Sequence, residues 1–188
     1  MSAPTGAGAS GAIPLLPTAR LVLEPLVPGH AAEAFVAFAD ADLYAFMVGE
    51  PPASVDALRD EFARLAAGCP RPDERWVNWL ARRRDDASLV GWHQATVAGA
   101  RADIAWVTFA GSTRRGHARE GAAAVVAWLA SLGVREIVAQ SDVRNAASCA
   151  TAVSLGFVPD AETIAETLRG EPAVDRVYRL RLREEASG

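Results

Sequence analysis

The sequence predicts a mixed α/β (α+β) domain with a mostly antiparallel sheet and several helices. Three observations carry that expectation. Three apolar runs between Trp76 and Phe109 are joined by short polar or glycine links, the pattern of an antiparallel meander. A long amphipathic helix follows the third run, and a short apolar strand follows the helix, which is the order of a parallel crossover. Hydrophobic residues make up 51% of 188, ample for a packed core and too many for a disordered chain.

Taken in order, residues 1–14 are small, rich in Gly, Ser and Ala, and expected to be a disordered tail before a single domain at 15–184. The start lacks a basic segment followed by an apolar one, so it does not read as a signal peptide. Order is expected from about Arg20, where Arg20 to Leu26 alternates like a strand ending near Pro25. Gly29 to Phe46 carries Phe35, Phe38 and Leu43 at helical spacing and predicts one or two helices. After the Pro51-Pro52 break, Ser54 is an N-cap for a helix over Val55 to Ala67, with Leu58, Phe62 and Leu65 on one face. Gly68-Cys69-Pro70 ends it.

Trp76–Ala81, Leu89–Val97 and Asp103–Phe109 are the three meander strands, linked by Arg84-Asp85-Asp86 and Ala98-Gly99-Ala100. Ala118, Ala122, Val125, Leu129 and Leu132 then recur along one helical face, and Gly133 closes the helix. Glu136–Ala139 is a short strand. Asn145 can cap a helix over Ala146 to Leu155, closed by Gly156. Phe157-Val158 starts a further strand and Val177–Leu182 alternates like a final one.

Composition excludes several functions. A net charge of −4 and pI near 5.4 leave no global basic field for nucleic acid. All 19 basic residues are Arg, and with so much Ala this fits a GC-rich, bacterial genome. Cys69 and Cys149 have no metal-type spacing, so neither a metal site nor a disulfide framework is expected, and a reducing cytoplasm suits the chain. No apolar run reaches the ~18 residues of a membrane helix.

The chemistry gathers at TRRGHAREG, Thr113 to Gly121, where arginines and a glycine stand before a helix. The first N–H groups of a helix lack partners and its dipole is positive there, so an anion fits. Gly116 would let backbone approach a phosphate, and Arg114, Arg115 and Arg119 would add charge. Solvated arginines before an ordinary helix are the plainer alternative. Neither a Walker A loop nor a GxGxxG fingerprint is present.

In order, strand, TRRGHA, long helix, short strand and NAASCATAVSLGF resemble the GNAT N-acetyltransferases, in particular the branch acetylating ribosomal-protein N-termini and its small-molecule relatives. That family's acetyl-CoA loop has the form Q/R-x-x-G-x-G/A. Thr113 to Ala118 matches it except at Thr113. A second motif, Asn-x-x-Ser and then Gly-Phe, is matched by Asn145, Ser148, Gly156 and Phe157. The resemblance runs from about Arg20 to Leu182. It implies helices on both faces of the sheet and a parallel strand pair that splays into a cleft. It implies acetyl-CoA as co-substrate, with its pyrophosphate on the N–H groups of Arg114, Arg115, Gly116, His117, Ala118 and Arg119. The pantetheine arm would meet the main chain of Trp106, Val107, Thr108 and Phe109.

Acetyl transfer needs a neutral amine, a polarised thioester carbonyl and a stabilised thiolate. Ser148, in the first turn of its helix, is the candidate for the last; many relatives use a Tyr four residues on, where this chain has Ala152. Asn145 would orient the pantetheine or Ser148, although its role as an N-cap needs no function. Asp103 sits where many relatives carry a Glu base, and its shorter side chain calls for a water relay; a surface carboxylate in a turn is the alternative. His93 is the other candidate base, on one face with Ala95 and Val97, and reads equally as a core histidine. His117 is expected to meet phosphate or solvent, and Cys149 to be a buried, inert thiol. Trp76, Trp79, Trp92, Trp106 and Trp128 read mostly as core rather than an acceptor pocket.

The resulting expectation is an acetyl-CoA-dependent N-acetyltransferase acting on a primary amine of a small molecule or a protein N-terminus. Its acceptor cleft would be built by Gly29 to Gly68 and a loop from Ala161 to Val174, whose Glu162, Glu166, Glu171 and Asp175 could attract a cation. A non-catalytic acyl-CoA-binding or regulatory module is the alternative, permitted by Thr113 and Ala152. By analogy of fold, a homodimer is compatible.

Overall fold

Strand pairing, rather than helix packing, organises the chain. The computed structural model describes residues 12–168 and 171–182, with side-chain surroundings given outside 163–172. The strands are β1 (Leu16–Pro17), β2 (Leu21–Pro25), β3 (Arg75–Arg83), β4 (Leu89–Ala98), β5 (Arg101–Thr108), β6 (Glu136–Asp142), β7 (Val158–Leu168) and β8 (Glu171–Arg181). Among the described residues they form one sheet in the order β1-β2-β3-β4-β5-β6-β8-β7. Neighbours run antiparallel except β5 and β6, which are parallel. The helix between those two, α3 (His117–Ser131), makes the crossover.

The period-2 alternation of the strands sorts side chains onto two faces. One face carries Trp79, Ala95, Ile104 and Ile137 and is covered by α3 and by α4 (Ala146–Ser154), whose Val125, Leu129 and Ala152 join that core. The opposite face carries Leu80 and Trp92 and is covered by α1 (Ala31–Phe38) and α2 (Val55–Ala66). Ser54 caps α2 by accepting from the Ala57 N–H at 3.1 Å, and Leu58, Phe62 and Leu65 are its buried stripe. Phe38 joins the two helices to the sheet, with ring centroids 5.3 Å from Phe62 and 5.4 Å from Trp92. Each such side chain contributes about 1.5–3 kcal/mol of burial before its entropy cost. No helix among the described residues is long and apolar enough to cross a membrane.

Four expectations need correction. Ordered structure begins before Arg20: β1 pairs with β2, Ile13 packs on the core, and the Trp79 indole N–H donates to the Pro14 carbonyl at 2.9 Å. Ala41–Phe46 is a 3-10 segment rather than α-helix, because Asp40 is extended and its carboxylate captures the Asp42 N–H. The interval Ala161 to Val174 is not a loop; it lies largely in β7 and β8, where Glu162 pairs with Arg176 at 2.5 Å. The side chains of Glu166 and Glu171 fall outside the described surroundings. On α3, Leu132 is 41% exposed, and the buried face instead begins at His117 and passes through Gly121, Ala122, Val125 and Leu129.

Gly121 explains how close α3 lies. Beneath it is His93 of β4, 2% exposed and paired across the strands with Trp79 and Trp106. A Cβ at Gly121 would stand 2.6 Å from His93 Cε1 and closer still to Nε2. Burial alone drives the His93 pKa down to about 4, so the ring is neutral, and its Nδ1 has no partner. His93 is thus a core residue under α3.

Two measurements test this seating. An exposed-helix Gly→Ala exchange would stabilise by ~1 kcal/mol, but overpacking costs ~1–3 kcal/mol. Gly121→Ala should therefore lower the thermal midpoint by a few degrees, and a raised midpoint would contradict the packing. The depressed His93 pKa contributes stability present above the unfolded value of 6.5 and lost as pH falls toward about 4. That loss amounts to about 3 kcal/mol. Denaturant titrations of wild type and His93→Gln should diverge in pH slope across this window; parallel slopes would show that His93 titrates normally.

Candidate active site

The site begins where the sheet opens. β5 pairs with β4 along its whole length, from Ala98↔Arg101 to Gly91↔Thr108. With β6 it pairs only from Arg101↔Glu136 to Ile104↔Ala139. Beyond Ala139, β6 stays with β8 as far as Asp142↔Asp175. The main-chain edge of Ala105 to Thr108 on the β6 side therefore has no strand partner. Gly91 lets the end of β5 lie against β4, because a Cβ there would overlap the Val107 carbonyl oxygen.

The parting strands open a cleft of about 580 Å³ on the α1–α2 face. Asp103 stands in its wall with Asn78, Gln94 and Gln140. Asp103 is half exposed and ion-paired with Arg101 at 3.2 Å. Asn78 is 4% exposed and accepts from the Gln94 amide at 3.2 Å. Arg64 of α2 borders the cleft over the Trp76 ring, 5.5 Å from its centroid, and is paired with Glu61 at 2.5 Å. The carboxamides Asn78, Gln94 and Gln140 were not singled out in the sequence. Their signal was polar side chains at inward positions of strands that otherwise read as core.

Directly after β5 comes the loop to α3. Arg114 and Gly116 both have left-handed backbones, φ 58° and 78°, and Gly116 is the N-cap of α3. The first N–H of α3 to bond back is that of Glu120, to the Gly116 carbonyl at 3.0 Å. The main-chain N–H groups of Arg114 to Arg119 find no acceptor among the described residues. Six unpartnered donors next to a positive helix end are groups that an anion would complete.

A clamp holds this helix end in place. Glu120 accepts from the Thr18 hydroxyl at 2.6 Å, the Arg20 N–H at 2.7 Å and the Arg20 guanidinium at 2.6 Å. Burial alone would raise the Glu120 carboxyl, but these bonds outweigh it and hold it below the usual carboxylate range. Arg20 also donates to the Arg115 carbonyl at 3.0 Å, so the clamp reaches the loop itself. His117 does not project to solvent: it is 6% exposed.

Ser148 and Asn145 stand at the start of α4. The Asn145 carboxamide accepts from the Ser148 N–H at 3.1 Å, so it is an N-cap, and Ser148 is half-buried in the first turn. Ala152 is 1% exposed in the core. Ser148 is not in the cleft wall that holds Asp103; the two lie over opposite faces of the sheet. Cys149 is half-buried rather than buried, with Sγ 3.7 Å from the Asp142 carbonyl oxygen. Trp106 faces α4, 6.5 Å from the Phe157 ring, and its indole N–H is buried without a partner. Trp79 and Trp92 are core, and Trp128 stacks edge-on against Trp79.

Comparison with known proteins agrees with this geometry. The acetyltransferase (GNAT) domain family matches residues 20–158. No curated protein matches the sequence. Among solved structures the fold is similar to the GNAT-family acetyltransferase from Bacillus anthracis, with 15% identity over 89% of this chain and 98% of that one, TM-score 0.76. It is similar to a ribosomal L7/L12 alpha-N-protein acetyltransferase in complex with coenzyme A, with 19% identity over 90% and 98%, TM-score 0.79. It is also similar to the microcin C7 self-immunity acetyltransferase in complex with acetyl-CoA and AMP, with 16% identity over 87% and 93%, TM-score 0.76. The matched span takes in the parted strands, the loop and the capped α4, and the chain belongs to the GNAT acetyltransferase family.

Proposed function

We propose that this enzyme transfers the acetyl group of acetyl-CoA directly to a primary amine, on a small molecule or a protein N-terminus, in the cytoplasm of a bacterium. The observation that carries the reading is the unpaired edge of Ala105 to Thr108 running straight into six unpartnered N–H groups at the start of α3. A ligand with an extended amide-bearing arm and a pyrophosphate matches that sequence of groups. The orphaned Trp106 indole N–H is a further unfilled donor on the same strand.

In this reading the main chain of Trp106, Val107, Thr108 and Phe109 holds the pantetheine arm. Arg114, Arg115, Gly116, His117, Ala118 and Arg119 hold the pyrophosphate through N–H groups, with the arginine side chains adding charge. Acetyl-CoA supplies the activated thioester. Asp103, facing the cleft, accepts the amine proton through a water, because its side chain is short. Ser148, above the other face, donates its hydroxyl proton to the departing sulfur, helped by the positive end of α4. The gap between β5 and β6 would let one ligand meet groups from both faces. Asn145 fixes the first turn of α4 and so positions Ser148. The solved ribosomal-protein acetyltransferase of like fold supports a protein N-terminus among the acceptors.

Calorimetry is the first test. Acetyl-CoA and CoA should bind with micromolar affinity and ATP much more weakly. Gly116→Glu should abolish that binding, through charge repulsion and a left-handed backbone that a side chain strains, while the fold survives by circular dichroism. Unchanged affinity would remove the loop from the cofactor site. Ser148→Ala should lower kcat ~10- to 1000-fold with little change in KM for acetyl-CoA. A wild-type rate would take Ser148 out of the mechanism.

A further inference from the structure

A second cavity, of about 500 Å³, lies beside the loop and is built from the ends of β2 and β3 and the start of α3. Its wall holds four guanidiniums, those of Arg20, Arg83, Arg84 and Arg115, against the single carboxylate of Asp85. Two of the four are fixed by main-chain carbonyls: Arg84 donates to Thr18 O at 2.9 Å and Arg20 to Arg115 O at 3.0 Å. Arg83 spends its charge on Asp85 and Asp86, and Arg20 on Glu120. Arg84 and Arg115 have no ion pair among the described residues. The cavity therefore carries excess positive charge on side chains held in place before any ligand arrives.

His117 forms the inner wall. It is 94% buried on its 6% exposure, and its Nδ1 has no partner. Burial, and then the charges of Arg20 and Arg83, hold its imidazole below the usual range; Glu120 opposes them, and Arg115 adds a lesser push in the same direction as the other arginines. A neutral imidazole among arginines fits a cavity whose counter-ion comes from outside the chain.

We propose that this cavity is a binding site for a phosphate monoester dianion, held by Arg84, Arg115 and Arg20 beside the His117 ring. A dianion offsets the excess cations, and forked guanidinium N–H groups match its oxygens. It also offsets the arginine charges that add to burial in disfavouring the protonated imidazole, so binding shifts His117 toward its protonated form. The cavity lies apart from the β5–β6 gap but shares Arg115 and His117 with the loop, and its coenzyme source rests on the acetyl-CoA reading, whereas a free anion does not. The dianion is either a free phosphate or the 3′-phosphate of a coenzyme whose pyrophosphate lies on the neighbouring loop.

The test uses the full chain labelled with isotopic histidine, in which three histidines report separately. Titration with inorganic phosphate at pH 7 should move the His117 imidazole resonances saturably toward the protonated form, leaving those of His93 in place. Arg84→Ala should weaken the response at least 10-fold, and Arg84→Lys, which keeps the charge, should restore most of it. Calorimetry then separates the sources. A 10-fold loss of CoA affinity in Arg84→Ala, with 3′-dephospho-CoA unaffected, assigns the site to the coenzyme. Equal binding of both coenzymes to both proteins, with inorganic phosphate binding lost in Arg84→Ala, assigns it to a free anion. Unmoved His117 resonances, with CoA affinity unchanged in Arg84→Ala, overturn the proposal.

Discussion

The site depends on a conflict of pairing. β5 is bonded to β4 through its last residue, and β6 is bonded to β8 through Asp142. Each is committed to an antiparallel partner on its outer side, and sheets twist. The parallel pair between them is the slanted, slightly weaker kind, and it gives way after Ile104 and Ala139. The opening is thus a consequence of the two half-sheets rather than of any residue in the gap. Unpaired backbone inside a protein is costly, so such an edge is kept where something else completes it.

The loop inherits its position from α3, and α3 is held at two points. Gly121 sets its depth over His93, and Glu120 ties its first turn to Thr18 and Arg20. Both contacts join residues far apart in the chain: Arg20 and Glu120 are separated by 100 positions. The partners fix where the helix starts, hence where its unpaired N–H groups point. Charge-assisted bonds of this kind, partly sheltered from water, are stronger than surface ion pairs.

Much of this was legible in the sequence. The meander, the crossover helix and two N-caps follow from periodicity and from Ser54 and Asn145 at their proper places. What was hidden depends on register. Nothing local shows that Glu120 meets Arg20, that His117 turns inward, or that Asp103 and Ser148 lie over opposite faces of one sheet. The start of β7 and the end of β8 were legible, but their extension through residues 161–174 was missed for a different reason. β7 is an edge strand whose polar residues pair across it, Asp160 with Arg179 and Glu162 with Arg176. Such pairs stabilise a strand while erasing the apolar alternation that announces one. The gap's amide wall was similarly masked, because Asn78 and Gln94 satisfy each other inside runs that look apolar.

One compositional feature acquires meaning at the cleft. Among the described residues the cation in its wall is a guanidinium, that of Arg64, the wall's Asp103 is paired with a second, that of Arg101, and the chain contains no lysine at all. A guanidinium stays protonated throughout the physiological range and so is no nucleophile, whereas a lysine desolvated beside a thioester readily becomes one. An enzyme that gathers an activated acyl group beside its own surface runs the risk of modifying itself. This chain has no lysine amine with which to do so.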